Sequence, residues 1–279
     1  MDDLEQGGPG GARAALIAAA ARFGFSETPR LDAELLLAHA LGISRERLLL
    51  SLADQPVPAV FSELVARRAR HEPIAYITGT RAFWTIDLDV APGVLIPRPD
   101  SETLIEAAVD HFSGRPGPRT ILDLGTGSGA LLLAALDQWP DATGVGIDAS
   151  QQALDIARRN ADRIAPGRAD IRAGGWAGTG DAFDLILCNP PYVATDEAVP
   201  EEVARHEPAS ALYAGGDGLD DYWAIAPLLR QQIAPAGVAC VEIGASQGES
   251  ACALFVAAGL RVALRKDLAG RDRCLVITP

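Results

Sequence analysis

The sequence predicts an α/β protein with a seven-stranded, mainly parallel sheet, preceded by a small all-α domain and a β-hairpin linker. The 279 residues are enough for one large domain or two modest ones. Three patterns carry the prediction: helical periodicity at the start, two-residue alternation after it, and then strands alternating with helices. We expect a flexible tail at 1–11, a helical domain at 12–74, the linker at 75–97 and the sheet domain at 98–279.

The first domain is read from apolar residues at helical spacing. Leu31, Leu35 and Ala38 recur at three- and four-residue steps, which predicts a helix with Pro29 just before it and Gly42 just after it. A second helix is expected at about 58–70, and it ends in four basic residues, Arg67, Arg68, Arg70 and His71. Cations complement the carbonyl end of a helix, which is the simpler interpretation, while contact with a partner remains the alternative.

The linker and the sheet follow from a change of period. Thr85, Asp87 and Asp89 alternate with apolar neighbours, which is typical of a hairpin. Seven apolar strands are then expected near 119–124, 143–148, 168–172, 183–188, 237–243, 260–265 and 273–278. Helices fit between most of them, which indicates parallel strands covered on both faces. The last two are too close for a crossover, so we expect them to form an antiparallel hairpin.

Charge and cysteine content exclude several classes of protein. Acidic residues outnumber basic ones 37 to 24, a net charge of −13 that disfavours direct binding to nucleic acid. The four cysteines, at 188, 240, 252 and 274, lack metal or redox spacing and are expected to be buried free thiols. Neither a membrane span nor a signal peptide is recognisable, so we expect a cytoplasmic protein without bound metal.

A glycine-rich loop follows the first strand of the sheet domain. It comprises Gly125, Thr126, Gly127, Ser128 and Gly129. Alternate glycines permit a tight turn and a close approach to a ligand, and the helix that follows offers free N–H groups. A dinucleotide-binding loop has the related spacing GxGxxG, so the loop alone also allows that cofactor.

Asp148 ends the second strand, 19 residues beyond Gly129. A carboxylate at this place accepts hydrogen bonds from both hydroxyls of a ribose. The alternative is that Asp148 caps the helix beginning near Ser150. Asp148 and the glycine loop together favour a cofactor that contains adenosine.

The fourth strand runs directly into Asn189, Pro190, Pro191 and Tyr192. Two prolines stiffen this turn and leave its carbonyls free to accept, and it lies where ligands bind in parallel sheets. We expect the Asn189 side-chain oxygen and the Pro190 carbonyl each to accept one N–H of a planar NH2 group, attached to a carbonyl or to a ring, while its nitrogen is methylated. Positive charge on that nitrogen strengthens both bonds in the transition state. Tyr192 would pack over the planar group.

Here the chain resembles the peptide chain release factor glutamine N(5)-methyltransferases of the PrmC/HemK type. The resemblance covers nearly the whole chain after the tail. Besides the glycine loop and Asn-Pro-Pro-Tyr, it includes 71–79 (His-Glu-Pro-Ile-Ala-Tyr-Ile-Thr-Gly), 95–102 (Leu-Ile-Pro-Arg-Pro-Asp-Ser-Glu), 206–208 (His-Glu-Pro), 242–244 (Glu-Ile-Gly) and 247–249 (Gln-Gly-Glu).

The resemblance implies a Rossmann-like class I methyltransferase fold and S-adenosylmethionine as donor, with S-adenosylhomocysteine as product. It implies that residues 125–129 carry the methionine end of the donor, Asp148 the ribose and Trp176 the adenine region. Asn189 would contact donor and substrate, and residues 189–192 would hold the glutamine of the Gly-Gly-Gln loop of class-1 release factors. Read from the residues alone, Trp176 is a core or rim aromatic. We expect a monomer.

Four other functions are weighed. The acceptor could be a glutamine of a ribosomal protein or, against the acidic charge, an adenine in DNA. A nicotinamide-dependent oxidoreductase would explain the glycine loop and Asp148 but not Asn-Pro-Pro-Tyr. A non-catalytic adaptor would have no use for Asn189.

Overall fold

The computed structural model describes residues 11–279. The α-helices are α1 (Gly11–Ala20), α2 (Pro29–Leu41), α3 (Arg45–Leu50), α4 (Val60–Arg68), α5 (Ile74–Thr78), α6 (Glu102–Phe112), α7 (Ala130–Gln138), α8 (Gln151–Ile164), α9 (Glu201–His206), α10 (Asp220–Gln232) and α11 (Gly248–Ala257). The strands are β1 (Thr80–Phe83), β2 (Ile86–Asp89), β3 (Thr120–Leu124), β4 (Thr143–Asp148), β5 (Ala169–Ala173), β6 (Phe183–Cys188), β7 (Ile233–Glu242), β8 (Arg261–Lys266) and β9 (Asp272–Thr278).

The described chain divides into two compact units, residues 11–79 with Pro200–His206 and the remainder. The expected tail lies outside the described residues, apart from Gly11, which begins α1. In the first unit, α1, α2 and α4 bury a core that includes Leu16, Leu36 and Leu64. Pro29 is the first residue of α2 instead of the residue before it, where its fixed φ suits a helix start. Gly42 ends α2 in the left-handed conformation, as expected.

The basic end of α4 is used inside the first unit. Arg68 is buried, and its guanidinium contacts Asp32 of α2 at 2.9 Å and Glu202 of α9. Arg67 pairs with Glu72. Two of the four basic residues, Arg67 and Arg68, therefore have a structural use beyond complementing the helix end, because they pair with buried or half-buried carboxylates.

The hairpin is shorter than the expected linker. Strands β1 and β2 pair antiparallel with Phe83 opposite Ile86, which leaves Trp84 and Thr85 in the turn. Ile74–Thr78, part of which falls in the expected linker 75–97, is instead the helix α5, and Gly79 ends it with φ of +76°. The short apolar run 74–77 has no alternation of polar and apolar residues, so it is free to close one helical turn on the core of the first unit.

The seven-stranded sheet was predicted correctly. Its strand order is β5-β4-β3-β6-β7-β9-β8, parallel from β5 to β7, with β9 antiparallel to both β7 and β8. The expected terminal hairpin is therefore confirmed. Helices α6, α7 and α8 pack on one face of the sheet, and α10 and α11 pack on the other.

The order of the strands decides where a site can form. The chain proceeds outward from β3 to β4 and β5, and then returns to place β6 on the other side of β3. This change of direction opens a crevice at the carboxyl ends of the parallel strands. The glycine loop follows β3, Asp148 ends β4 and Asn189 follows β6, so all three features come to this crevice.

Candidate active site

The glycine loop is folded against the end of β4. The backbone N–H groups of Gly125 and Thr126 both donate to the carbonyl of Ile147, at 2.9 Å each. Gly125, Gly127 and Gly129 have φ of +73°, +57° and +86°, values that side chains rarely tolerate. No described atom lies within 4 Å of the position that a Cβ would take at Gly127. The loop therefore presents bare backbone to a ligand.

Asp123 lies beneath this loop and is fully buried. Its Oδ2 accepts from the hydroxyl of Thr126 at 2.6 Å and from the N–H of Leu132 at 3.3 Å. Burial raises the pKa of Asp123 to about 7, although the hydrogen bonds from Thr126 and Leu132 oppose the rise. The carboxyl thus ties the loop to the first turn of α7.

Asp148 is oriented by two backbone groups. Its Oδ2 accepts from the N–H of Gly127 at 2.9 Å, and its Oδ1 accepts from the N–H of Ser150 at 2.8 Å. The cap of α8 is Ser150, whose hydroxyl accepts from the N–H of Ala153, so Asp148 is not the capping residue. Each carboxylate oxygen keeps a further lone pair. Asp148 can therefore accept from two neighbouring hydroxyls of a ligand.

A cavity of about 380 Å³ lies at the carboxyl ends of β3, β4 and β6. Its volume falls in the range of pockets that hold small molecules. Among the residues predicted from sequence, those lining it are Gly125, Thr126, Gly127, Ser128, Asp148, Trp176, Asn189 and Pro191. The remaining predicted site residues, Gly129, Pro190 and Tyr192, are all described by the structure and do not line it.

Trp176 lies between the glycine loop and the end of β6. A Cβ on Gly125 would be 3.3 Å from its ring, so the indole packs on the bare backbone of the loop. Its Nε1 donates to Asp221 at 2.9 Å, and its carbonyl accepts from Gln232 at 3.0 Å. The ring thus forms one wall of the cavity and has fixed polar contacts behind it.

Asn189 follows β6 directly and faces the same cavity. Its Nδ2 donates to the hydroxyl of Ser101 at 3.2 Å. Hydrogen bonds among the described residues leave its Oδ1 without a donor. The Asn189 oxygen is therefore available to accept an N–H of a ligand.

The Tyr192 side chain extends toward the buried end of β7. Its hydroxyl donates to Glu242 Oε1 at 3.1 Å. Burial, followed by the nearby Glu242 carboxyl, raises the pKa of Tyr192 well above its usual value. The side chain therefore stabilises the turn from behind, and the idea that it packs over the acceptor amide stays a prediction.

Three residues to which the sequence assigned no role lie beside the turn at 189–192: Ser101, Glu242 and Gln247. Gln247 Nε2 donates to the Tyr192 carbonyl at 3.0 Å and to the Gly218 carbonyl at 3.2 Å. Glu242 ends β7, the parallel neighbour of β6. A carboxylate closing an apolar strand beside β6 was the available signal, because strand ends meet at one edge.

Other features of the described chain concern metal, membrane and thiol chemistry. Within residues 11–279, no group of three or more histidine, cysteine or acidic side chains could hold a metal ion. No helix in that range is long and apolar enough to cross a membrane. The four cysteines are free, and Cys252 is half-buried whereas the other three are buried.

Comparisons with known proteins agree with both parts of the chain. Residues 14–79 match the family model described as PrmC N-terminal domain, and residues 100–217 match the model described as Methyltransferase small domain. These matches fall on the helical region and on the sheet with its glycine loop and Asn189.

Curated relatives match over most of their length. A "Release factor glutamine methyltransferase" of Rhodospirillum rubrum is 43% identical over 260 residues, which cover 90% of this chain and 79% of that protein. One of Cereibacter sphaeroides is 44% identical over 260 residues, covering 90% and 91%. A solved methyltransferase from Pyrococcus furiosus, 18% identical, superposes with a TM-score of 0.52 over 77% of this chain and 97% of its own, a likeness of fold.

Proposed function

The chain belongs to the release factor glutamine methyltransferase family, and from that premise we propose how its own residues methylate a glutamine of a release factor. The reaction is the transfer of a methyl group from S-adenosylmethionine to the side-chain amide nitrogen. The observation that carries the proposal is the position of Asn189. It lines the same cavity as the glycine loop and Asp148 while its Oδ1 has no donor within the described chain.

The cavity residues fit the methyl donor. The bare backbone at Gly127 leaves room for a close approach, and Asp148 has one unused lone pair on each oxygen for the ribose hydroxyls. Trp176 supplies an apolar wall beside Gly125. When bound, S-adenosylmethionine supplies an electrophilic methyl carbon. The chain's task is to bring an amide nitrogen to it and hold it there.

An amide nitrogen is a poor nucleophile because its lone pair is delocalised into the carbonyl group. Asn189 Oδ1 and the Pro190 carbonyl would each accept one N–H of the substrate glutamine, which fixes the nitrogen with one face toward the donor. Both hydrogen bonds strengthen as positive charge develops on nitrogen, so they stabilise the transition state more than the ground state. The proton becomes acidic only after transfer, so no general base is required beforehand.

We propose that the glutamine that is methylated is the one in the Gly-Gly-Gln loop of class-1 release factors. The helical unit, whose residues 14–79 match the PrmC N-terminal domain, would bind the release factor outside the loop that is modified. The net charge of −13 favours a protein acceptor over nucleic acid. We propose that the enzyme acts as a monomer, which light scattering on the purified protein tests.

The experiment is methyl transfer from isotopically labelled donor to a purified class-1 release factor, read by mass spectrometry of its peptides. We expect a single labelled methyl group on the Gly-Gly-Gln glutamine, and none on a release factor in which that glutamine is replaced. A ribosomal-protein mixture and duplex DNA serve as competing acceptors. Label on either of them, with none on the release factor, would overturn the assignment.

A further inference from the structure

Ser101 contacts Asn189 but has no role in the methyl transfer proposed for Asn189 and Pro190. It immediately precedes α6 and is 3% exposed. Its oxygen accepts a hydrogen bond from Asn189 Nδ2 at 3.2 Å. A buried hydroxyl has one proton to donate, and the direction in which it donates decides what its oxygen can accept.

Glu242, the last residue of β7, is fully buried. Its Oε1 accepts from the Tyr192 hydroxyl at 3.1 Å, and its Oε2 has no hydrogen-bond partner within the described chain. Burial raises the pKa of Glu242 to about 7; a hydrogen bond from Ser101, the charge of Arg273 and the bond from Tyr192 oppose that rise. Around neutral pH the carboxyl is thus poised between its two forms.

Ser101 can hydrogen-bond with both Asn189 and Glu242, and the two bonds are linked because its hydroxyl has a single proton. An ionised Glu242 can only accept, so the Ser101 proton points to it and the Ser101 oxygen is left to accept from Asn189. The carboxamide of Asn189 then has its NH2 group toward Ser101 and its oxygen toward the cavity. With Glu242 protonated, the Ser101 hydroxyl is free to donate to Asn189 instead, which would turn the NH2 group toward the cavity.

We propose that Ser101 is a positioning residue that selects the productive orientation of the Asn189 carboxamide, and that Glu242 fixes the direction of the Ser101 hydroxyl. The inference rests on the proposed function, in which Asn189 Oδ1 accepts an N–H of the substrate glutamine. With the opposite orientation, an NH2 group would face another NH2 group, and that hydrogen bond would be absent.

The other charged and titratable groups near Glu242 do not compete with it near neutral pH. Arg273, on β9, pairs with Asp100 and Asp267 and stays charged. Tyr192, Tyr222, Cys188 and Cys274 all have pKa values raised by burial, so they stay neutral. Glu242 is therefore the group of this cluster that changes charge around pH 7.

The test compares wild type with Ser101→Ala, Ser101→Thr and Glu242→Gln in full-length protein, using initial rates on a purified release factor from pH 6 to 9. For wild type we expect kcat to fall as the pH drops through about 7. Ser101→Ala should lower kcat about 3- to 10-fold, the worth of one neutral hydrogen bond, and flatten this pH dependence. Because Ser101 also lines the cavity, the rates are measured at saturating donor, and calorimetry records the donor affinity of each variant.

The remaining variants separate positioning from folding. Ser101→Thr keeps the hydroxyl and should restore both the rate and the pH dependence. Glu242→Gln should have a lowered kcat that no longer changes around pH 7. Thr103→Val, which removes a buried hydroxyl from the first turn of α6, is the matched control and should keep the wild-type profile.

The outcomes distinguish this inference from the proposed function. A wild-type protein that does not methylate the release factor removes the proposed function, and with it the premise. If wild type is active while Ser101→Ala and Glu242→Gln both keep its kcat and its pH profile, the positioning role is refuted. Should Ser101→Ala fail to fold, Glu242→Gln alone decides, because it preserves the shape of the side chain.

Discussion

Replacing Asp148 tests whether its carboxylate binds the donor or only organises the turn. Both oxygens already accept a backbone N–H, from Gly127 and Ser150, and each retains one lone pair for a ligand hydroxyl. Asp148→Ala removes both ligand hydrogen bonds. Two bonds to a charged acceptor, less the water they displace, amount to about 2–3 kcal/mol. This corresponds to a dissociation constant for S-adenosylmethionine that is higher by roughly 30- to 150-fold.

Asp148→Asn is a stricter version of the same test. Whichever way the carboxamide turns, its NH2 group faces the N–H of Gly127 or that of Ser150, and two donors cannot bond to each other. We therefore expect the asparagine variant to lose nearly as much affinity as the alanine variant, despite its similar shape.

Calorimetric titration with S-adenosylmethionine and S-adenosylhomocysteine measures both variants. Asp155→Asn is the control, because Asp155 is exposed on the neighbouring helix α8 and lies outside the cavity lining. An unchanged dissociation constant in Asp148→Ala, with a lowered melting temperature, would show that the residue serves only the turn, and the reasoning from free lone pairs would fail.

Three further predictions concern the turn, the loop and the helical unit. Asn189→Ala should lower kcat by at least ~10²-fold in initial-rate assays, since it removes a hydrogen bond that strengthens in the transition state; an unchanged kcat would contradict this. The pKa of Asp123 is raised to about 7. Its protonated carboxyl therefore stabilises the folded protein fully below pH 3.8, and this stabilisation is lost as the pH rises from 3.8 through 7. Over that range we expect the melting temperature of Asp123→Asn to fall less than that of wild type. Deleting residues 1–75 should raise KM for whole release factor far more than for a Gly-Gly-Gln peptide, whereas equal changes would leave the helices without a role in binding.

The sheet was predictable because its central strands are short apolar runs bounded by polar or glycine-containing segments. Strand β6 begins and ends at the residues expected, Phe183 and Cys188. The linker was predicted less well, since alternation extends only over about 85–90 and says nothing of 74–78. A single helical turn such as α5 has too few residues for periodicity to show it, and the surrounding core decides its conformation.

The site was predictable where a residue ends a strand or directly follows one. Asp148 and Asn189 follow from that rule, because carboxyl ends of parallel strands converge. Ser101 and Gln247 do not follow from it. Ser101 is 88 residues from Asn189, and Gln247 is 55 residues from Tyr192. Contacts of this separation arise only once the whole sheet has assembled.

These distant contacts change the explanation of why the corner after β6 is stiff. Two prolines fix φ at their own positions, but they do not hold the corner against the rest of the protein. Gln247 does so from one side, through the carbonyls of Tyr192 and Gly218. Gly218 must be glycine there, because a Cβ would lie 2.3 Å from the Tyr192 carbonyl.

On the other side, Ser101 holds the Asn189 side chain and Glu242 holds the Tyr192 hydroxyl. The turn is thus fixed at both ends by polar groups from three other parts of the chain, of which Ser101 and Glu242 are buried and Gln247 is half-buried. A hydrogen bond stabilises a transition state most when its acceptor does not have to be ordered during the reaction. The cost of ordering Asn189 is met during folding, and this is why an asparagine oxygen, which carries no charge, suffices to hold a weakly nucleophilic amide in position.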